Sequence, residues 1–291
     1  MEPISVAARR GEVVESAHRV HAVAVRDGEV IDAAGDPDFV TFMRSAAKPL
    51  QAVPLAYARD DLELRHLAIA SASHLADEAQ LDAVRSLLEL AEATEDDLEC
   101  GPYQGSRLNH NCSGKHAGML ALCRAHGWPT QGYRLAGHPC QEAMLSVVAE
   151  AAGVAAGKVP TAVDGCGVVT FALPLHAMGR AFAALERLPG GAEVGEAMRA
   201  YPELIRGPGA DDTTLMQSHP GWTAKGGAEG LLCAVGPESL TLVLKVEDGN
   251  GRALRPALGV FLERLGLPSH AFGPAPIRNS RDDVVGRLEA R

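Results

Sequence analysis

The sequence predicts a mixed α/β protein of the α+β kind, with strands at both ends of the chain and helices crowded between them. Three observations carry that expectation. Near the N-terminus, "HAVAVRDGEVIDAAG" alternates valines on both sides of Asp27-Gly28, a hairpin signal. In the middle, apolar residues recur at helical spacing over several long stretches. Toward the end, "GLLCAV" and "LTLVLKV" flank a "GPES" turn and return to a strand pattern. The economical architecture is one sheet assembled from both termini, with a helical region inserted. The chain of 291 residues is read as a single catalytic unit, with a sheet lobe at roughly 1–62 plus 220–291 and a helical lobe at roughly 63–219.

The elements follow in order. After the hairpin and a "GDPDF" loop, "TFMRSAAKPL" opens a helix. "IASASH" reads as the end of an apolar, strand-like run. "LADEAQLDAVRSLLELAEAT" then places Leu81, Val84, Leu87, Leu88 and Ala91 on one helical face, and Asp77 and Glu78 suit its N-terminal dipole. "CSGKHAGMLALCRAHG" predicts a helix capped by Ser113 and stopped by Gly127. "HPCQEAMLSVVAEAAG" predicts another, with Pro139 early and Gly153 late. "VPTAVDGCGVVTFALPLHAMG" reads as a short strand, a Gly-rich turn and a helix. "AEVGEAMRAYPELI" is a further helix, and "ALRPALGVFLERLG" closes the chain.

Composition narrows the function classes. Hydrophobic residues make up 46%, charged residues 22% and aromatics 4%, an ordinary globular profile. A formal net charge of -10, with no basic block, disfavours nucleic acid as a partner. No apolar run is long and unbroken enough to span a bilayer, and the first residues lack a signal-peptide core. A cytoplasmic protein without a membrane partner is expected, and six scattered cysteines suit a reducing compartment.

Five stretches carry candidate chemistry. In "RSAAKP", Ser45 and Lys48 are three residues apart, a spacing that makes side chains neighbours on a helix. Pro49 clashes with the carbonyl of Ser45 unless Ser45 lies at or before the first turn, and it disfavours helical geometry at Lys48. A helix N-terminus favours an oxyanion and lowers the pKa of a nearby ammonium, so Lys48 can serve as a general base for Ser45. Taken alone, the motif reads more readily as an N-cap beside a solvated lysine, since short motifs recur by chance. "ASASH" offers Ser71, Ser73 and His74 at the entry to a helix. "HNCSGKHAGML" brings Cys112, Lys115 and His116 to another, where a cysteine near a lysine ionises readily; a nucleophile, an anion pocket and a metal ligand all remain open readings. "VDGCGVV" sets Asp164 and Cys166 among glycines. Lys225, followed by Gly226 and Gly227 ahead of a strand, reads as cleft-lining or as a turn.

Together, "TFMRSAAKP", "ASASH", "HNCSGKHAGML", "VDGCGVVTFALPL", "TLM", "KGGAEG" and "DGNGRA" resemble the Rhizobium-type L-asparaginases, the asparaginase II family, in family order. The resemblance implies a serine beta-lactamase/glutaminase-like fold and hydrolysis of L-asparagine to L-aspartate and ammonia. It implies two serine–lysine pairs, Ser45 with Lys48 and Ser73 with Lys225. It implies a zinc site at Cys112, Lys115 and Cys166, substrate recognition by Arg44, His116 and Asp164, and a homodimer. Ser71 stands where cysteine is usual, "LADE" replaces Ser-Gly-Glu, and Val169 stands where proline is common. Alternative expectations are a glutaminase, a penicillin-recognising serine hydrolase, or a non-catalytic amino-acid-binding protein.

Overall fold

Strand β1 (Ile4–Arg10) leads into the long β2 (Val13–Arg26), which turns back as β3 (Glu29–Ala34). The turn sits at Asp27-Gly28, where both residues take positive φ of 53° and 82°. That is the left-handed pair which a two-residue hairpin requires and a glycine supplies without steric cost. The computed structural model, which describes residues 1–290, thus has the expected hairpin. The N-terminal part of β2 pairs with β1 and its C-terminal part with β3 on the same side, while β9 pairs along its other side.

The middle of the chain runs β4 (Val40–Phe42), α1 (Lys48–Ala58), α2 (Leu64–Ala70), α3 (Glu78–Leu90), α4 (Ser113–His126), α5 (Pro139–Ala152), β5 (Thr161–Val163), β6 (Val169–Pro174) and α6 (Leu175–Ala184). It continues with α7 (Gly191–Ala200), α8 (Pro202–Ile205) and α9 (Asp211–Ser218). Then come β7 (Thr223–Gly227), β8 (Leu231–Val235), β9 (Thr241–Val246), α10 (Leu254–Arg264), β10 (Ala275–Arg278) and β11 (Val284–Ala290). The main sheet has the order β10-β11-β1-β2-β9-β8-β7, with β3 added on β2; every pairing is antiparallel. Mixed α/β architecture with a sheet drawn from both ends is therefore what the chain adopts. β9 is buried at every position, so both faces of the sheet's centre are covered; α6 and α10 both pack on it.

Several local readings change. The run before "SASH" is a helix, α2, because Leu67, Ala68, Ile69 and Ala70 are all buried and a run buried on every side carries no period to read. "VVTFALP" is strand β6, paired with β4 and β5 in a small second sheet, between the Gly-rich turn and α6. "AEVGEAMRAYPELI" breaks at Tyr201 into α7 and α8, where Pro202 begins the new helix. Ser113 opens α4 but Cys112 holds the N-cap position, without a side-chain capping bond. Lys225 lies within a strand, β7, not ahead of one. The closing helix is followed by the hairpin β10–β11, whose second strand pairs with β1. Asp77 caps α3 in a reciprocal bond with Gln80, and α4 and α5 stop at Gly127 and Gly153 as expected.

The helical layer fixes where "SASH" goes. A Cβ on Gly114, in the first turn of α4, would lie 2.3 Å from the carbonyl oxygen of Ile69. Only the missing side chain lets α4 approach the C-terminal end of α2 that closely. That end delivers Ser71 to His74 into the middle of the molecule.

Candidate active site

Ser45 is positioned by the backbone of the two residues before it. Met43 N–H donates to the Phe171 carbonyl at 2.8 Å, and Arg44 N–H donates to Thr170 Oγ1 at 3.1 Å. Both partners belong to β6, the strand missing from the sequence reading. Arg44 takes a left-handed φ of 50°, a conformation that costs a non-glycine residue about 1–3 kcal/mol. This kink redirects the chain from β4 into a 3-10 turn, Arg44–Ala47, that runs straight into α1. Ser45 therefore precedes the first α-helical turn, which removes the Pro49 ring clash. Lys48 is helical, with φ −57° and ψ −39°, against the bias that Pro49 imposes; the unfavourable backbone is at Arg44 instead.

Lys48 is wholly buried. Its Nζ donates to Ser73 Oγ at 3.0 Å and to the carbonyl of Ala72. The hydrogen-bond partner of Lys48 is thus the serine twenty-five residues on, not the one a helical step away. Burial lowers the Lys48 pKa, the nearby Cys112 opposes that, and Lys115 adds to it. Lys225 Nζ donates to the Gly226 carbonyl at 2.7 Å and lies 3.5 Å from Asp212 Oδ2. Burial lowers its pKa to about 8, with Asp212 pulling up and Lys48 pushing further down.

Ser45, Ser73 and Lys225 line one cavity of about 340 Å³. Lys48 is not on its wall and reaches it through the Ser73 hydroxyl. Asn111, Arg206, Asp211 and Asp212 share the wall, and the sequence reading assigned none of them a role. Asp212 is buried; its Oδ2 accepts Gly226 N–H at 2.8 Å and its Oδ1 accepts Thr213 N–H at 2.9 Å. It ties α9 to β7 beside Lys225.

His74 also joins the centre. Its Nδ1 accepts Ala76 N–H at 3.1 Å, so its Nε2 carries the proton and donates to Ser113 Oγ at 2.8 Å. Burial first, and then Lys48, push its pKa down to about 4. His74 is neutral at ordinary pH and holds the "SASH" loop onto α4.

Cys112, Lys115 and Cys166 come together as a second, neighbouring cluster. Lys115 Nζ donates to Cys166 Sγ at 3.2 Å. The hydrogen bond from Cys166 holds the Cys112 thiol well below its usual range against burial, with Lys48 and Lys115 assisting. The same bond and burial push the Cys166 thiol up. Burial works to lower the Lys115 pKa, but Cys166, Cys112 and Asp164 outweigh it and raise it. Among the described residues, no three His, Cys, Asp or Glu side chains gather in metal-binding geometry. Two sulfurs and an amine nitrogen would nevertheless be donors that zinc accepts, once they are deprotonated.

Arg44 Nε donates to Asp164 Oδ1 at 2.5 Å, so these two residues engage each other and neither lines the cavity. His116, fully buried, accepts the Tyr133 hydroxyl proton at Nδ1 over 2.7 Å, because Tyr133 O already accepts Glu99 N–H at 2.8 Å. Its Nε2 is buried without a partner, and burial, then Lys115, push its pKa well down. His116 is likewise off the cavity wall. All ten residues singled out from the sequence lie in this region except that only Ser45, Ser73 and Lys225 face the cavity itself.

Comparison with known proteins gives the following. The profile of the L-asparaginase II family matches residues 6–290. Curated proteins yield no match. Among solved structures, a protein described as Mglu in its native form aligns at TM-score 0.49 and 12% identity, covering 87% of this chain and 66% of that one. This chain therefore spans slightly under two thirds of that protein's length. A beta-lactamase from Mycobacterium bovis aligns at TM-score 0.42 and 14% identity, covering 85% and 95%. EstCE1, a hydrolase with promiscuous acyltransferase activity, aligns at 0.39 and 15%, covering 80% and 90%. At these scores none of the three structures bears on what the chain does.

Proposed function

This chain belongs to the L-asparaginase II family and is a hydrolase, and from that premise we propose that it hydrolyses L-asparagine to L-aspartate and ammonia through a serine activated by lysine. The observation that carries the reading is the pair of fully buried lysines, Lys48 and Lys225, both with lowered pKa: Lys225 shares one cavity wall with Ser45 and Ser73, and Lys48 donates to the Ser73 hydroxyl. Lowering the pKa of a buried amine moves it toward the range of a general base or acid.

Lys48 removes the Ser45 proton, and Ser45 attacks the side-chain amide carbon. Backbone N–H groups at the start of the α1 turn hold the oxyanion, each donor contributing roughly 3–4 kcal/mol. The C–N bond breaks, Lys225 and Ser73 pass a proton to the departing nitrogen, and water then cleaves the acyl-enzyme. One observation favours a second reading of the nucleophile. Lys48 is bonded to Ser73 Oγ at 3.0 Å, which makes Ser73 the alternative acyl acceptor. Ser45→Ala and Ser73→Ala, each incubated with L-asparagine and examined by mass spectrometry, separate the two. An adduct that survives Ser45→Ala and vanishes in Ser73→Ala assigns attack to Ser73.

Zinc would be held by Cys112, Lys115 and Cys166 once Cys166 and Lys115 lose their protons. Bound there, it supplies a Lewis acid beside the cavity. A homodimer is proposed on family grounds and is tested by light scattering. Side-by-side assays of L-asparagine, L-glutamine and a beta-lactam test the substrate: fastest ammonia release from asparagine supports the proposal, and beta-lactam opening without it replaces it. A tight asparagine complex without turnover would make the chain a binding protein.

A further inference from the structure

The cavity wall carries two carboxylates and both are matched. Asp212 faces Lys225 at 3.5 Å, and Asp211 pairs with Arg255 at 2.9 Å. Arg206 is different. Its Nη1 donates to the Ser73 carbonyl at 3.2 Å, and it pairs with no carboxylate among the described residues. The wall therefore holds one guanidinium that forms no ion pair among the described residues.

Its placement is built into the fold. Gln80, buried as the capping partner of Asp77, donates to the carbonyls of both Glu203 and Arg206 at 3.1 Å. Gly207 follows at φ 130°, where an added Cβ would meet Leu75 at 3.1 Å. The backbone is thus held by α3, and the head group is held by the carbonyl of the residue that carries the Ser73 hydroxyl. Arg206 and Asn111 form the wall shared by the 340 Å³ cavity and a second one of about 360 Å³ beside His74 and Tyr103.

We infer that Arg206 is the specificity-determining receptor for the substrate's carboxylate. This deepens the amidohydrolase reading and rests on it. A guanidinium offers a planar fork that matches a carboxylate, and a partly buried, unpaired cation gains most from such a partner. The family resemblance implies substrate recognition by Arg44, and Arg44 or a neighbouring cation is the expected carboxylate grip, but Asp164 already occupies Arg44 Nε at 2.5 Å. Because Arg206 is anchored to Ser73, a substrate gripped there by its carboxylate presents its amide to the serines.

The test compares L-asparagine with 3-aminopropanamide, the same molecule without its carboxylate, in the wild type, Arg206→Met and Arg206→Lys. Arg206→Met is expected to lower kcat/KM for L-asparagine about 10- to 100-fold, mainly through KM, the range for losing a charged hydrogen bond. Turnover of 3-aminopropanamide stays within about twofold, and Arg206→Lys falls between. If both substrates decline together, or the ratio between them does not move, the inference is overturned. Should the wild type turn over neither substrate, the amidohydrolase reading fails, and calorimetry with L-aspartate decides Arg206 separately. Weaker binding to Arg206→Met than to wild type upholds the receptor; equal binding, or none to either protein, rejects it.

Discussion

The cavity and the cysteine cluster beside it both hold deeply buried lysines, yet they treat them in opposite ways. Lys48 and Lys225 are pushed down, Lys115 is pushed up. Burial is the largest influence on all three and works in the same direction. What differs is the neighbours. Lys115 faces two sulfurs and lies near Asp164, and their combined charge outweighs desolvation. Lys225 has one carboxylate, at 3.5 Å, and a second lysine working against it. Lys48 donates to a hydroxyl and a carbonyl, neither of which carries charge. Burial alone thus does not make a lysine basic in the catalytic sense; burial without an adequate counter-charge does.

The largest expected effect tests that contrast directly. Lys48→Met removes the amine proposed as general base and is expected to lower kcat about 10²–10⁴-fold, the range for losing a general base, with a cooperative thermal melt retained. Lys115→Met removes an amine proposed to help hold zinc, not the general base, and is expected to cost much less in kcat. Equal losses in the two variants would erase the distinction between the regions.

Next comes the metal. Cys166→Ser removes one of the two sulfurs, and elemental analysis of purified protein is expected to show zinc in the wild type and its loss in the variant. Zinc retained by Cys166→Ser would place the ion elsewhere.

A smaller effect concerns Asp212. If Lys225 donates its proton to the leaving nitrogen, it must be protonated, so kcat/KM falls as pH rises through about 8. Asp212 raises that pKa. Asp212→Asn therefore moves the alkaline limb to lower pH, measurable in a pH–rate profile. A limb that moves to higher pH, or stays in place, removes Asp212 from the control of Lys225.

The smallest catalytic effect is expected at Gly114→Ala, where the new Cβ meets the Ile69 carbonyl at 2.3 Å. A forced retreat of α2 from α4 costs about 1–3 kcal/mol, which appears as a melting temperature lower by a few degrees. α4 carries Lys115 and supports the loop bearing Ser73, so both regions loosen together. An unchanged melt would mean that the two helices do not need their close approach.

The sequence by itself determined the features that depend on near neighbours. The Asp27-Gly28 turn, the stops at Gly127 and Gly153 and the cap at Asp77 each follow from backbone preferences within a few residues, and each is present. It also supplied the reactive side chains, because hydroxyls, amines and thiols stand out against apolar runs. Uniformly buried runs were the ones misread: "LAIA" and "VVTFALP" offer no polar face, so their period is silent about helix or strand. β10 and β11 are short and largely exposed, and they exist as strands because β1 offers an edge to pair with. Only the tertiary structure decided which groups meet. Lys48 turns to Ser73, Arg44 is taken by Asp164, and Arg206, in the turn after α8, and Asp212, in α9, reach the cavity wall more than a hundred residues from the first serine. Such contacts are set by how helices and sheet close on one another, through bonds that cross long stretches of chain, and no local spacing encodes them.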